Sequence, residues 1–85
     1  MSAQNLIGPR VRHFREAKGW TQEDLAAELG KRGWHCTAAE VAAIERREAP
    51  VSAAQFMVFG YVLGVDHNDL FPPELEDGLP GQNGT

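Results

Sequence analysis

Three helix-start signals divide the chain into short helices and leave little room for other secondary structure. Thr21 and Thr37 each precede an apolar run and are followed three residues later by a carboxylate, at Asp24 and Glu40. A hydroxyl and a carboxylate at this spacing form a capping box, in which each side chain accepts a hydrogen bond from the other residue's backbone N–H. Ser52 is a third residue of the type that caps helix N-termini. The sequence therefore predicts helices that begin at these three residues.

Glycine and proline residues define the remaining helix ends. A first helix is predicted over about residues 7–18, because Pro9 fits a first turn and Gly19 stands where a helix C-terminus favours glycine. Gly64 ends the fourth helix, and a short helical turn is predicted over 66–71. No run alternates between apolar and polar residues as a half-buried strand would. The expected fold class is therefore all-α.

Each predicted helix carries an apolar stripe that would face a shared core. The 85 residues are enough for one domain and no more. We expect that domain to span residues 1–72, and we expect the acidic, Gly- and Pro-rich segment 73–85 to be a flexible tail. The residues expected to point inward are Ile7, Val11, Phe14, Leu25, Ala26, Leu29, Val41, Ile44, Phe56, Phe59, Val62 and Leu63.

Charge is distributed unevenly along the chain. The net charge is −4, which by itself would disfavour a polyanion as partner. However, residues 1–48 hold all eight basic residues and seven of the twelve acidic ones, whereas residues 49–85 hold five acids and no base. The first half can therefore meet phosphate locally, and the second half would repel it.

Several classes of function lack the residues that they need. Cys36 is the single cysteine, so a disulfide framework is excluded, and one thiol does not make a structural zinc site. The three histidines stand in separate segments, and none has the spacing of a metal-binding pair. We therefore expect no enzyme activity, no metal, no cofactor and no small-molecule ligand.

Targeting signals are also missing from the sequence. No stretch approaches the roughly 18 apolar residues that a membrane helix requires. The N-terminus has no charged segment followed by an apolar one, as a signal peptide would. The expected location is the cytoplasm, a reducing compartment, with no membrane partner.

Five short runs, spread over sixty-odd residues, carry a family resemblance. They are Ile7–Arg12, Phe14–Ala26, Val41–Arg46, Leu63–Val65 and Asp69–Pro72. Together they resemble the Cro/C1-type (XRE-like) helix-turn-helix DNA-binding family of phage repressors and bacterial regulators. The resemblance implies a five-helix lambda-repressor-like domain, in which the second and third helices form the helix-turn-helix.

The resemblance also implies a function. A small transcriptional regulator of this type, most simply a repressor, would bind double-stranded DNA as a homodimer. Its two copies of the third helix would enter successive major grooves, about 34 Å apart, on a pseudo-palindromic operator.

Predicted DNA contacts lie mainly on the start of the second helix, on the third helix and on the loop between them. Gln22 would donate to a phosphate beside the N–H groups of a helix N-terminus. The outward positions of the third helix are alanines, which offer bases only methyl contact, so readout would fall to neighbouring residues or to DNA shape. The predicted DNA-binding residues are Arg10, Gln22, Lys31, Arg32, Thr37, Ala38, Ala39, Glu40, Ala42, Ala43, Arg46 and Arg47.

Two alternatives remain open for this surface. An alanine-rich face also suits a protein partner, so the chain could instead be a helix-turn-helix interaction module that does not itself read DNA. Such a module would act as an antirepressor or as an adapter subunit.

The loop from Lys31 to Cys36 is longer than the family's compact turn, and its Trp34 fits a packing role better than base stacking.

The family resemblance also bears on three further residues. Arg15 and Glu45 look like the family's ion pair, which joins the first helix to the end of the third. Such a pair contributes orientation more than energy, because desolvation offsets most of the attraction. Arg47 stands where the family usually has glycine, so the resemblance does not define the path by which the chain leaves the third helix.

A homodimer interface is predicted on the fourth helix and the segment after it. Met57, Tyr61, Val65 and Leu70 could form an exposed apolar patch, which is a common mark of an interface. The alternative is that these residues simply complete a small core.

Overall fold

The computed structural model describes residues 5–72, which form four α-helices and one 3₁₀ turn. The helices are α1 (Gly8–Ala17), α2 (Gln22–Gly30), α3 (Ala38–Glu45) and α4 (Ala53–Leu63), and the 3₁₀ turn is His67–Leu70. The all-α prediction is confirmed for these residues. The five-helix count is not, because the last element is a single 3₁₀ turn. The predicted tail, 73–85, lies outside the described residues.

Side-chain caps set the N-termini of three helices. The Thr21 hydroxyl accepts from the backbone N–H of Asp24 at 3.0 Å, and the Asp24 carboxylate accepts from the Thr21 N–H at 2.9 Å. Thr37 and Glu40 form the same box at the start of α3. Ser52 forms a third with Gln55, whose amide oxygen replaces the carboxylate. The predicted helix starts are therefore confirmed.

One apolar core joins all the elements. α1 packs against α3, α4 and the 3₁₀ turn, while α2 packs against α3 and α4. The largest fully buried side chain is Phe59, and Trp34 meets its ring edge-on with the ring centroids 5.1 Å apart. This contact supports the packing interpretation of Trp34. The buried apolar residues are Ile7, Val11, Leu25, Leu29, Val41, Ile44, Phe59, Leu63 and Leu70.

Leu70 therefore corrects one sequence prediction. It was expected to contribute to an exposed interface, but its side chain is fully buried in the core. The 3₁₀ turn makes contact with both α1 and α4, and this packing directs Leu70 inward. Leu70 thus closes the core and does not belong to an exposed patch.

Asn5 ties the segment before α1 to the segment after α3. Its side-chain nitrogen donates to the carbonyls of Ile44 and Ala49 at 2.8 and 2.9 Å, and its side-chain oxygen accepts from the N–H groups of Ile7 and Gly8. The residue is almost completely buried, so these four bonds satisfy polar atoms that would otherwise be unpaired. The contact fixes the end of α3 relative to α1.

The same junction explains the unusual residue after α3. Arg47 has a φ of 60°, in the left-handed region that costs a non-glycine residue about 1–2 kcal/mol. Its Nε donates to the Asn5 carbonyl at 2.6 Å, which compensates for part of that strain. The chain thus makes with arginine a left-handed turn of the kind that favours glycine.

Candidate nucleic-acid interface

The outer side of α3 lies at the protein surface. Val41 and Ile44 face the core, whereas Ala39 and Glu40 are exposed on the first turn of the helix. The remaining alanines of this side are half-buried and still reach solvent; they are Ala38, Ala42 and Ala43. The predicted reading face is therefore not buried in the core, although three of its four alanines are partly covered.

The first turn of α3 is held by its cap. Glu40 Oε1 accepts from the backbone N–H of Thr37 at 2.9 Å and lies 3.2 Å from the Thr37 hydroxyl. The predicted contact residues Thr37 and Glu40 are therefore engaged with each other. Direct base readout by either side chain would require this box to open.

A buried ion pair fixes α3 against α1. Arg15 Nε and Nη2 donate to the two carboxylate oxygens of Glu45 at 2.6 and 3.1 Å, and the side chains are 9% and 2% exposed. The hydrogen bond to Glu45 raises the pKa of the Arg15 guanidinium against the opposing effect of burial. A third donor, Nη1, bonds to the carbonyl of Trp20 just before α2. The structure thus brings the two predicted partners together.

Gln22 belongs to the same network. Its Nε2 donates to Glu45 Oε1 at 3.0 Å, and its side chain is half-buried at the start of α2. An amide nitrogen carries two hydrogens, so this bond leaves one for another acceptor. The predicted phosphate donor is therefore held in place by the carboxylate that holds Arg15.

Two cations near α3 are exposed and paired with acids. Lys31 Nζ lies 2.9 Å from Glu28, and Arg46 Nη2 lies 2.9 Å from Glu48. Hydrogen bonding between the second pair raises the pKa of Arg46 and lowers the pKa of Glu48. Pairs exposed in this way contribute little to stability, because water screens them. Exchanging the acid for a DNA phosphate therefore costs little.

The structure does not bring three other predicted anchors to this group. Arg10 Nε donates to the Asp69 carbonyl at 3.2 Å, beside the 3₁₀ turn. Arg32 lies over the Tyr61 ring of α4, 3.9 Å from its centroid. Arg47 is bonded to Asn5, as described above. Each of the three is thus held by a partner outside the group formed by Gln22, Lys31 and Arg46, although other N–H groups of each guanidinium remain available to acceptors.

A groove of about 600 Å³ runs between α2 and α3, with Cys36 and His35 in its wall. Burial first, and the charge of Glu40 second, raise the pKa of the Cys36 thiol. Within residues 5–72, no group of three or more His, Cys, Asp or Glu side chains could hold a metal ion. The raised pKa favours the protonated and less nucleophilic form of the Cys36 thiol.

We expect Cys36 to react with iodoacetamide near pH 8 more slowly in the folded protein than in the urea-unfolded chain, because the thiolate is the reactive species. Glu40→Gln keeps a capping side chain but removes the charge, so it should speed the reaction of the folded protein. Because folding raises this pKa, stability should also fall slightly above about pH 8.5, where the unfolded thiol ionises. Equal rates in the folded and unfolded chains would contradict this account.

Asn5 is the residue that sequence reasoning missed. Asparagine side chains commonly accept from the backbone N–H two residues on, so the bond to Ile7 had a local signal in the sequence. Its bonds to Ile44 and Ala49 had no such signal, because they join segments about forty residues apart.

Comparisons with known proteins agree with this geometry. The helix-turn-helix domain family matches residues 6–70, which is most of the chain, and the chain belongs to this family, in its XRE-like group. Among curated proteins it is similar to the uncharacterized HTH-type transcriptional regulator YazB of Bacillus subtilis (strain 168). The two are 37% identical over 69 residues, which cover 81% of this chain and 93% of the relative. No solved structure matches the chain. Among residues 5–72, no helix has the length and apolar character to cross a bilayer.

Proposed function

We propose that this protein is a DNA-binding transcriptional regulator that acts as a repressor, with the outer side of α3 in the major groove. Membership of the helix-turn-helix family and the name of the similar Bacillus protein support a DNA-binding regulator. The observation that carries the proposal is the placement of α3. Its outer side is at the surface, its first turn is capped, and its end is fixed by the Arg15–Glu45 pair. A helix held in this way can enter a groove without first rearranging.

Phosphate contacts are assigned to residues that surround α3. Lys31 and Arg46 are exposed and can exchange their acid partners for phosphate, and Gln22 is held at the start of α2 with one hydrogen to donate. Alanines on the outer side of α3 permit a close approach and methyl contact with thymine. The remaining selectivity would come from DNA shape.

A homodimer completes the proposal. Met57 and Tyr61 are large side chains on α4 that are 57% and 66% exposed, and half-buried Val65 lies beside them. A two-fold axis through this surface would present two α3 helices to half-sites about 34 Å apart, as a pseudo-palindromic operator requires. Blocking of polymerase is the simplest output for a bound dimer of this size.

The salt dependence of DNA binding tests the phosphate contacts. We expect Lys31→Ala and Arg46→Ala each to weaken binding to a duplex selected from genomic fragments, and to reduce the slope of log K against log salt by about 1. The melting temperature should change little, because both pairs are exposed. Fluorescence anisotropy at several salt concentrations measures both quantities.

Arg12→Ala is the matched control for these variants. Arg12 is also exposed and paired with an acid, Glu16 at 3.1 Å, but it lies on α1. This variant should leave the salt slope unchanged. If all three variants changed the slope equally, the assignment of Lys31 and Arg46 to phosphate would be wrong.

An interaction module that binds protein is the second candidate function. Two observations favour it. Lys31, Arg46 and Arg47 each have a partner within residues 5–72. The outer side of α3 is also mostly alanine. Such a protein would serve as an antirepressor or adapter subunit. If the wild type retains no duplex even at about 50 mM salt, where electrostatic binding is strong, this second function replaces the first.

A further inference from the structure

An apolar surface on α4 has one cation attached to it. We call the α4 patch the surface formed by Met57, Tyr61, Val65 and Arg32, which border a groove of about 420 Å³. The Arg32 guanidinium lies 3.9 Å from the centre of the Tyr61 ring, although Arg32 belongs to the loop between α2 and α3. The loop of the helix-turn-helix is thus joined directly to the α4 patch.

Arg32, like Lys18, lies over an aromatic ring and is not paired with an acid among the described residues. Arg12, Lys31 and Arg46 are each paired with an acid, whereas the ion pairs of residues 5–72 do not include Arg32. A guanidinium stacked on an aromatic ring still presents its N–H groups at the ring's edge. Arg32 therefore offers a fixed set of donors to a carboxylate from outside the described part of its own chain.

Asp66 is an exposed acid beside the same patch. It lies between Val65 and His67, both of which line the groove. The His67 ring packs on Gly60 of α4, where a Cβ would approach it to 2.7 Å, and its Nε2 is 3.3 Å from the Met57 carbonyl. Asp66 is thus flanked in the sequence by two residues that line the groove. Its carboxylate accepts from the N–H of Asn68, and no cation pairs with it among residues 5–72.

We propose that the occupant of the α4 patch is a second copy of this chain, and that Arg32 of each copy pairs with Asp66 of the other. The inference deepens the proposed dimer and rests on it. In a two-fold contact the same surface meets itself, so a pairing of residue 32 with residue 66 occurs twice. The stretch from 49 to 72 contains acids but no Lys or Arg. A second copy therefore supplies an acid that can pair with Arg32.

The two parts of this interface have different roles. Burial of Met57, Tyr61 and Val65 supplies the affinity, since tyrosine, methionine and arginine are enriched at interface cores. The two charged pairs at the edge fix the register and exclude other arrangements. Because Arg32 belongs to the loop that leads into α3, fixing this register also fixes the separation of the two α3 helices.

Charge exchange tests this pairing in the full-length protein by sedimentation equilibrium. Arg32→Glu and Asp66→Arg should each weaken dimerisation by about tenfold or more, because each places two pairs of like charges in contact. The double variant should dimerise as the wild type does. An equimolar mixture of the two single variants should form a heterodimer, since both of its pairs are then attractive.

Milder changes guard against a folding defect. Asp66→Asn keeps a side chain that can cap the 3₁₀ turn, and Arg32→Gln removes the charged guanidinium but keeps a polar side chain. Each should weaken the dimer while leaving the melting temperature unchanged, and the double variant should show less than the sum of the two effects.

Three results would overturn the inference. They are a wild type that stays monomeric at high micromolar concentration, single variants that dimerise like the wild type, and a mixture that fails to restore the dimer. DNA binding is measured separately on the same samples. A wild type that dimerises as described but does not bind duplex would contradict the proposed function and leave this interface intact.

Discussion

Replacing Glu45 by alanine is expected to lower the free energy of unfolding by about 3–5 kcal/mol. The variant would leave the Arg15 guanidinium buried without its carboxylate and would remove the acceptor of the Gln22 amide. The total stability of a small domain is about 5–15 kcal/mol, so this loss is a large share of it. Urea denaturation followed by circular dichroism measures the change. DNA binding should fall with stability, because the same pair sets the angle of α3.

Two comparisons separate the buried pair from a general effect of charge. Arg12→Ala removes an exposed partner and should cost about 0.5 kcal/mol or less. The double change Arg15→Met and Glu45→Leu replaces both charges by apolar side chains and should recover most of the stability. If Glu45→Ala proves too unstable to measure, Glu45→Gln keeps the shape and loses only the charge. A loss no larger than that of Arg12→Ala would show that the pair does not hold the fold.

Replacing Ala39 by aspartate is expected to reduce DNA binding at least about tenfold while leaving the fold as stable or slightly more so. Ala39 is the second residue of α3 and is exposed, so its carboxylate would favour the positive end of the helix by about 0.3–1 kcal/mol. The same carboxylate would lie where α3 meets the negatively charged duplex. Stability and binding should therefore move in opposite directions, which a folding defect does not produce.

Two control variants match this change. Ala54→Asp makes the same substitution at the second, exposed residue of α4, and should reproduce the effect on stability. Arg12→Gln changes the net charge by the same amount on α1, and should reproduce any effect of overall charge on binding. Equal loss of binding in Ala39→Asp and Arg12→Gln would indicate that α3 is not the contact surface.

Local chemistry made most of the fold predictable from the sequence. The boxes at Thr21 and Thr37 act within four residues, so their hydroxyl and carboxylate partners are visible in the sequence itself. The apolar stripe that includes Val41 and Ile44 then determines which side of α3 faces the core, and hence which side remains for a partner.

Contacts between distant segments could not be predicted in the same way. Asn5 reaches the end of α3, and this bond network holds Arg47 in a left-handed conformation and engages its side chain. Arg32 stacks on Tyr61, although twenty-nine positions separate them. The interface and core alternatives for Leu70 cannot be separated from the sequence, because its apolar character suits both. In each case the outcome depends on how whole helices pack, which periodicity does not encode.

Gln22 shows how far the contacts of the candidate site could be predicted from the sequence. Its position at the start of α2 predicted a phosphate donor, and the structure adds that Glu45 holds its amide nitrogen. Gln22→Ala should therefore affect both the duplex contact and the buried network. Lys31 and Arg46 carry the cleaner test of phosphate binding, because their partners are exposed acids.

The central claim is that the outer side of α3 meets the major groove of duplex DNA. Its most direct test is a titration of ¹⁵N-labelled protein with a selected duplex, in which NMR measures the change of each backbone amide chemical shift. We expect the largest changes between Thr37 and Arg46 and at Gln22, with little change over α1. Changes confined to other surfaces, or none at about 50 mM salt, would contradict it.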